Sequence, residues 1–359
     1  MSYTANDDPL LLGQRVLAVL DAGRRVATYK LATLRALIDQ CVEHLPDEPD
    51  GTLVVPIPDL ARRVLDVYWR QVRPFEGHEL RQTTTEPARI LAAVHRLQQS
   101  VGKPYMSVDF AAVRAPEDYR QAIEDITMCL AQQPLYRLQR LSGSSTSDPF
   151  LYDDSFLHSK ISRKVLRDHD FSIELRPGVA QGLARLAALL KPALEIMWVD
   201  DVRRMNSFLE QDIPDVAGHL FGRERIALTT VREPFKEIYG PYCFYCESPL
   251  PRSNPIDHVL PWSLVGIDGL ANLVLSCTRC NGDKSGSVPA VAIVDQVLGR
   301  DRAALEQIAV DLRWPTQYDR VVAAARGIFR SQPAGIPTWA GYRRIKSLDI
   351  AFPPPWWAA

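Results

Sequence analysis

Cys243-Phe-Tyr-Cys246 and Cys277-Thr-Arg-Cys280 constrain this chain more than any other stretch. Two Cys-x-x-Cys pairs stand with thirty residues between them. A two-residue gap lets one tight turn present two sulfurs, and a closed structural zinc site takes four thiolates in a tetrahedron. The alternatives are four free buried thiols or a dithiol redox pair, and a redox pair needs no matching second pair. As zinc ligands, Cys243, Cys246, Cys277 and Cys280 join both ends of a segment too small to bury a core. The binding energy of the metal then becomes folding energy.

Inside this frame, Ile256 to Leu260 reads as a short strand that carries Asp257 and His258. Asn272 to Ser276 reads as a second strand running into Cys277. The polar run from Thr278 to Ser285 begins a helix, on which Asn281 and Lys284 are three apart and share a face. The predicted order is strand, loop, strand, helix.

Asp257-His258, then Asn272, then Asn281 with Lys284 resemble the motif of the HNH endonucleases with the ββα-metal fold. The flanking cysteine pairs resemble the zinc-containing branch of that family. The resemblance covers roughly residues 239–287 and has the His-Asn-Asn form in place of the literal His-Asn-His. It implies a role for each residue. His258 is the general base that activates water, and imidazole suits that task because its unperturbed pKa lies near neutrality. Asp257 and Asn281 hold a divalent cation, and two oxygen ligands favour Mg²⁺ or Mn²⁺. Asn272 braces the loop that aims the histidine. Lys284 is expected at the scissile phosphate or a neighbouring one. The reaction implied is phosphodiester hydrolysis leaving a 5′-phosphate, with double-stranded DNA as the expected partner. Neighbours in a strand point to opposite faces. For Asp257 and His258 to serve one site, the strand must therefore end or kink there, or the metal must sit over its edge.

Composition adds bounds. The 359 residues, 46% apolar and 24% charged, fit a globular protein of two or three domains. The net charge is −1, and residues 232–284 hold five Lys/Arg against six Asp/Glu. This weighs against indiscriminate tight binding to nucleic acid. Cys41 and Cys129 read as buried thiols. With no signal peptide and no run of about 18 apolar residues, a cytoplasmic protein without a membrane partner is expected.

The fold class expected is α+β, mainly α-helical, with the zinc-stabilised ββα-metal module embedded between helical regions. The divisions are a helical N-terminal domain at 1–141 that serves recognition or regulation or is a scaffold burying its own core, a linker at 142–149 (SGSSTSDP), a helical region at 150–235 packing on the nuclease, the module at 236–288, and a C-terminal helical region and tail at 289–359. Residues 179–190 and 192–208 read as two helices separated at Pro192. Tyr68, Trp69, Met197, Trp198 and Val202 read as core. Two basic clusters are candidates for phosphate contact: Lys160, Arg163, Lys164 and Arg167, and then Arg326, Arg330, Arg343, Arg344 and Lys346. Asp153, Asp154 and His158 read as surface residues and not as a second metal site. A nuclease joined to a helical region is analogous to restriction or anti-phage effectors, which would add self-association or a defence-system partner. The rival readings are a zinc-stabilised nucleic-acid-binding or interaction protein on a retired nuclease domain, and an RNase.

Overall fold

The structure is a computed structural model and describes residues 8–21, 25–102, 107–140, 149–210, 216–221, 228–349 and 353–357. The expected linker at 142–149 lies outside these except for Pro149. The chain divides into two compact units, one of residues 1–41 and 45–226, the other of residues 42–44 and 227–359. The stretch from 150 to 226 therefore belongs with the N-terminal helices, whereas the sequence suggested that it packs on the nuclease.

The first unit is built from α1 (Pro9–Asp21), α2 (Tyr29–Glu43), β1 (Leu53–Pro56), α3 (Ile57–Gln71), α4 (Arg89–Val101), α5 (Val108–Arg114), α6 (Pro116–Gln132), α7 (Pro134–Arg137), α8 (Arg163–Asp168), β2 (Ser172–Leu175), α9 (Val179–Met205) and α10 (Val216–Phe221). Helix α3 shows why these segments fold. Pro58 sits in its first turn, where no N–H partner is lost. Ile57, Leu60, Ala61, Val64, Leu65, Tyr68 and Trp69 then recur on one buried face. Strand β1 pairs antiparallel with β2, Val54 opposite Glu174, and this pairing ties residues 172–175 to the first unit. Tyr68 and Trp69 are core, as is Trp198, whose indole lies 5.4 Å from the Tyr68 ring. Val202 is buried too, and Met197 is half-buried.

Residues 179–205 form one helix and not two. Pro192 removes the N–H that would bond the Ala188 carbonyl, but both residues are exposed, so water satisfies the freed group. Leu190, Leu194 and Trp198 stay buried on either side of the proline. Lys191 is buried with Asp39 as its partner. Helix α1 lies close on α9, since a Cβ on Gly182 would stand 2.5 Å from the Leu12 side chain.

The second unit contains α11 (Thr229–Tyr239), β3 (Ile256–His258), α12 (Trp262–Val265), β4 (Leu273–Leu275), α13 (Thr278–Lys284), α14 (Val291–Leu298), α15 (Arg302–Leu312), α16 (Tyr318–Ser331), β5 (Pro337–Gly341) and β6 (Arg344–Ser347). The protein is mainly helical, with small two-stranded sheets. Strand β3 runs antiparallel to β4, with Asp257 opposite Val274 and His258 opposite Leu273. Helix α13 follows, so the ββα order stands. Its core is Val231 and Phe235 of α11, Leu270, Leu273 and Leu275 around β4, and Leu305 and Ile308 of α15. No described helix is long and apolar enough to cross a membrane.

Candidate active site

The four cysteine sulfurs Cys243, Cys246, Cys277 and Cys280 all lie within 4.8 Å of one another. Zn–S bonds of about 2.3 Å in a tetrahedron place sulfurs roughly 3.8 Å apart, and Cys246 and Cys277 are at 3.9 Å. None of the four is in a disulfide. The cluster could therefore hold a zinc ion, and among the described residues it is the only group of three or more His, Cys, Asp or Glu side chains so arranged. Asp153, Asp154 and His158 form no such group.

The knuckle does more than present sulfurs. Tyr245, between its two cysteines, donates its hydroxyl to Asp257 Oδ2 at 2.6 Å. Burial pushes the Tyr245 phenol well above its ordinary range, and the Asp257 carboxylate adds to that, so the phenol keeps its proton and donates it. Lys284 reaches the same Asp257 oxygen at 3.2 Å and the His258 carbonyl at 2.6 Å. Its side chain is 0% exposed. A fully buried ammonium satisfied in this way does not reach a bound phosphate. The expected phosphate contact is therefore replaced by an internal one that joins helix α13 to strand β3.

Asp257 uses Oδ2 for both partners. Its other oxygen accepts no hydrogen bond among the described residues, and neither does the Asn281 carboxamide. Carboxylate and carboxamide oxygens are of the kind that a hard divalent cation takes.

Strand β3 ends at His258. The alternation expected of a strand holds up to that point. Asp257 turns to Tyr245 and Lys284, and His258 turns to another partner, its Nε2 lying 2.9 Å from Asp268 Oδ1. Asn272 holds the chain just beyond. Its carboxamide accepts from the Leu260 amide at 2.8 Å and donates to the carbonyls of Leu260 and Ile267, both at 3.1 Å. Asn272 is completely buried, so all these bonds are made away from water.

Several elements outside the motif fix the loop of Asp268. Trp314 donates its indole N–H to the Asp268 carbonyl at 2.8 Å. The amides of Leu270 and Ala271 bond the carbonyls of Pro315 and Thr316. The approach requires glycine at 269, because a Cβ there would stand 2.5 Å from the Thr316 oxygen. Arg300 spreads its guanidinium over the carbonyls of Leu270, Ala271 and Leu273 at 2.8 to 3.2 Å. Burial lowers the Arg300 pKa to about 10, which leaves it charged at neutrality.

Sequence reasoning did not single out Tyr245, Asp268 or Arg300. Tyr245 had one signal, its place between two ligand cysteines. Asp268 and Arg300 had none, since each acts across a loop whose path only the fold sets.

Paired cysteine knuckles, two short strands, a histidine on a carboxylate and a closing helix fit an HNH endonuclease domain, and residues 243–287 match that family's model. Residues 12–218 match the model of a family described as a domain of unknown function (DUF8808), which is more than half of the chain, and the chain belongs to that family. No curated protein and no solved structure is significantly similar to it.

Proposed function

We propose that this protein is a metal-dependent endonuclease that hydrolyses phosphodiester bonds of DNA, with His258 as general base. The observation that carries the reading is the His258–Asp268 pair, set one residue from a carboxylate that Tyr245 and Lys284 hold in place.

A nitrogen that gives its proton to Asp268 fixes the imidazole tautomer and leaves Nδ1 as the basic position. Nδ1 takes a proton from the attacking water. The water oxygen bonds phosphorus as the P–O3′ bond breaks and the leaving 3′-oxygen takes a proton from solvent, which leaves a 5′-phosphate and a 3′-hydroxyl. Asp268 steadies the imidazolium that forms. A divalent cation held by Asp257 and Asn281 would polarise the phosphate and offset charge on the leaving oxygen. Asn272 keeps the turn after His258 in one shape. The zinc ion on the four cysteines is structural. The first unit supplies target specificity or regulation in this reading.

The test is plasmid cleavage in Mg²⁺ or Mn²⁺ by the intact protein and by His258→Ala at equal zinc content, with single-stranded RNA alongside. Nicking or linearisation by the intact protein, lost in the variant, is expected. Equal cutting by both would remove His258 as base, and cutting of RNA alone would make the protein an RNase. The absence of any cutting would favour a retired domain.

A further inference from the structure

The β5–β6 hairpin lies outside the matched nuclease segment, yet it is fastened to the zinc knuckles. Trp339 of β5 is 1% exposed and packs against Cys243 and Cys280. Its ring meets Tyr245 edge-on at 4.9 Å. Its indole N–H donates to Asp283 Oδ2 at 2.8 Å, and the same oxygen accepts from the Arg343 amide at 2.9 Å. The Trp339 backbone bonds Val288 and Ala290, just after helix α13. These contacts fasten the hairpin to the candidate active site.

The outer strand is unusual in its charge. All four residues of β6 are exposed. Arg344 and Lys346 are two apart on a strand and so share a face. Neither has a carboxylate partner among the described residues. Arg343, at the turn, is exposed as well, and its guanidinium lies over the Tyr342 ring at 5.2 Å. Arg279 of α13 lies over the same ring at 4.7 Å, but it also faces the Cys246 sulfur at 4.0 Å, where it offsets thiolate charge.

We infer that Arg343, Arg344 and Lys346 of this hairpin form a seat for the phosphate backbone of duplex DNA beside the cleavage site, an inference that rests on the nuclease reading above. The placement suits it. Asn281 and Asp283 are two apart on α13, so the cation side and the hairpin side are on nearly opposite faces of one helix. A helix is about 10 Å across. Measured along the duplex axis, at about 3.4 Å per charge of one strand, that is roughly three phosphates from the reacting one. Three cations at one edge reconcile a near-neutral chain with a polyanionic substrate, since they contact the backbone locally without a basic surface overall.

The test uses His258→Ala as the parent, so that substrate survives in Mg²⁺, with binding to a short blunt duplex followed by fluorescence anisotropy over about 50 to 200 mM salt. Replacing two phosphate contacts by Arg344→Gln with Lys346→Gln should reduce the slope of log affinity against log salt by about 1.8. The loss should be similar for unrelated sequences, because phosphates carry no base identity. Zinc content and melting temperature should match the parent. If Arg344→Gln disturbs the hairpin, where Arg344 pairs with Gly341, then Lys346→Gln alone should reduce the slope by about 0.9. An unchanged slope in variants that bind duplex overturns the hairpin seat and leaves the nuclease reading standing. Failure of the parent to bind duplex at low salt overturns both.

Discussion

Lys284→Met is the substitution that separates an internal lysine from a phosphate-binding one. The side chain is fully buried, and its ammonium lies between Asp257 Oδ2 at 3.2 Å and the His258 carbonyl at 2.6 Å. Methionine keeps the length and the apolar contacts but deletes the charge. Asp257 then keeps one donor, Tyr245, and the His258 carbonyl loses a charge-assisted bond. Removing one member of a buried pair costs about 3 to 5 kcal/mol. Such a loss is a large share of the roughly 5 to 15 kcal/mol that stabilises a typical domain. The assay is urea unfolding of the zinc-loaded protein, followed by tryptophan fluorescence, with and without Mg²⁺. A clear fall in the midpoint is expected, and it should shrink in Mg²⁺, because a cation at Asp257 replaces the missing counter-charge. A stability change below about 1 kcal/mol, together with a raised KM for DNA and unchanged kcat, would falsify this reasoning and return Lys284 to the phosphate.

Three further outcomes follow from the same geometry. Asp268→Asn should lower kcat about 10- to 100-fold with little change in KM, the equivalent of losing one hydrogen bond of about 1.5 to 3 kcal/mol to a charged group, in steady-state cleavage of a labelled duplex. Tyr245→Phe leaves the ring on Trp339 and deletes only the bond to Asp257; half-saturation by Mg²⁺ in a cleavage titration should rise roughly 10- to 100-fold, the usual cost of losing a group that orients a metal ligand. Stripping zinc with a strong chelator should unfold the second unit, since ligand binding and folding are one equilibrium at such sites; circular dichroism should show helix lost in proportion to zinc released, and retention of the full signal would contradict it.

The site was legible in the sequence where spacing alone fixes geometry. Two residues between cysteines determine a sulfur pair, and Asp257, Asn272 and Asn281 fall where paired strands and a following helix bring them. What spacing could not give is which partner each side chain takes. Lys284 was expected at a phosphate from the family resemblance, yet the buried carboxylate of Asp257 draws it inward. Asp268 sits in a loop without periodicity, and its position is set by Trp314 and Gly269. At the level of the fold, Pro192 suggested a break that exposure of its turn makes unnecessary. The β5–β6 hairpin is only five and four residues long, too brief for alternation to stand out from the charged residues around it. Most helices of the first unit were visible, because positions such as Leu60, Val64 and Trp69 repeat on one face.

Tyr245 lies between Cys243 and Cys246, and its hydroxyl is one of the two donors that hold Asp257. That arrangement sets an order of assembly during biosynthesis. Without zinc the knuckle that presents this phenol should not close, which would leave Asp257 with Lys284 alone. On the nuclease reading, cutting power is expected to arrive only after metal loading. When zinc is returned to metal-free protein, recovery of cleavage should never precede recovery of native tyrosine absorbance.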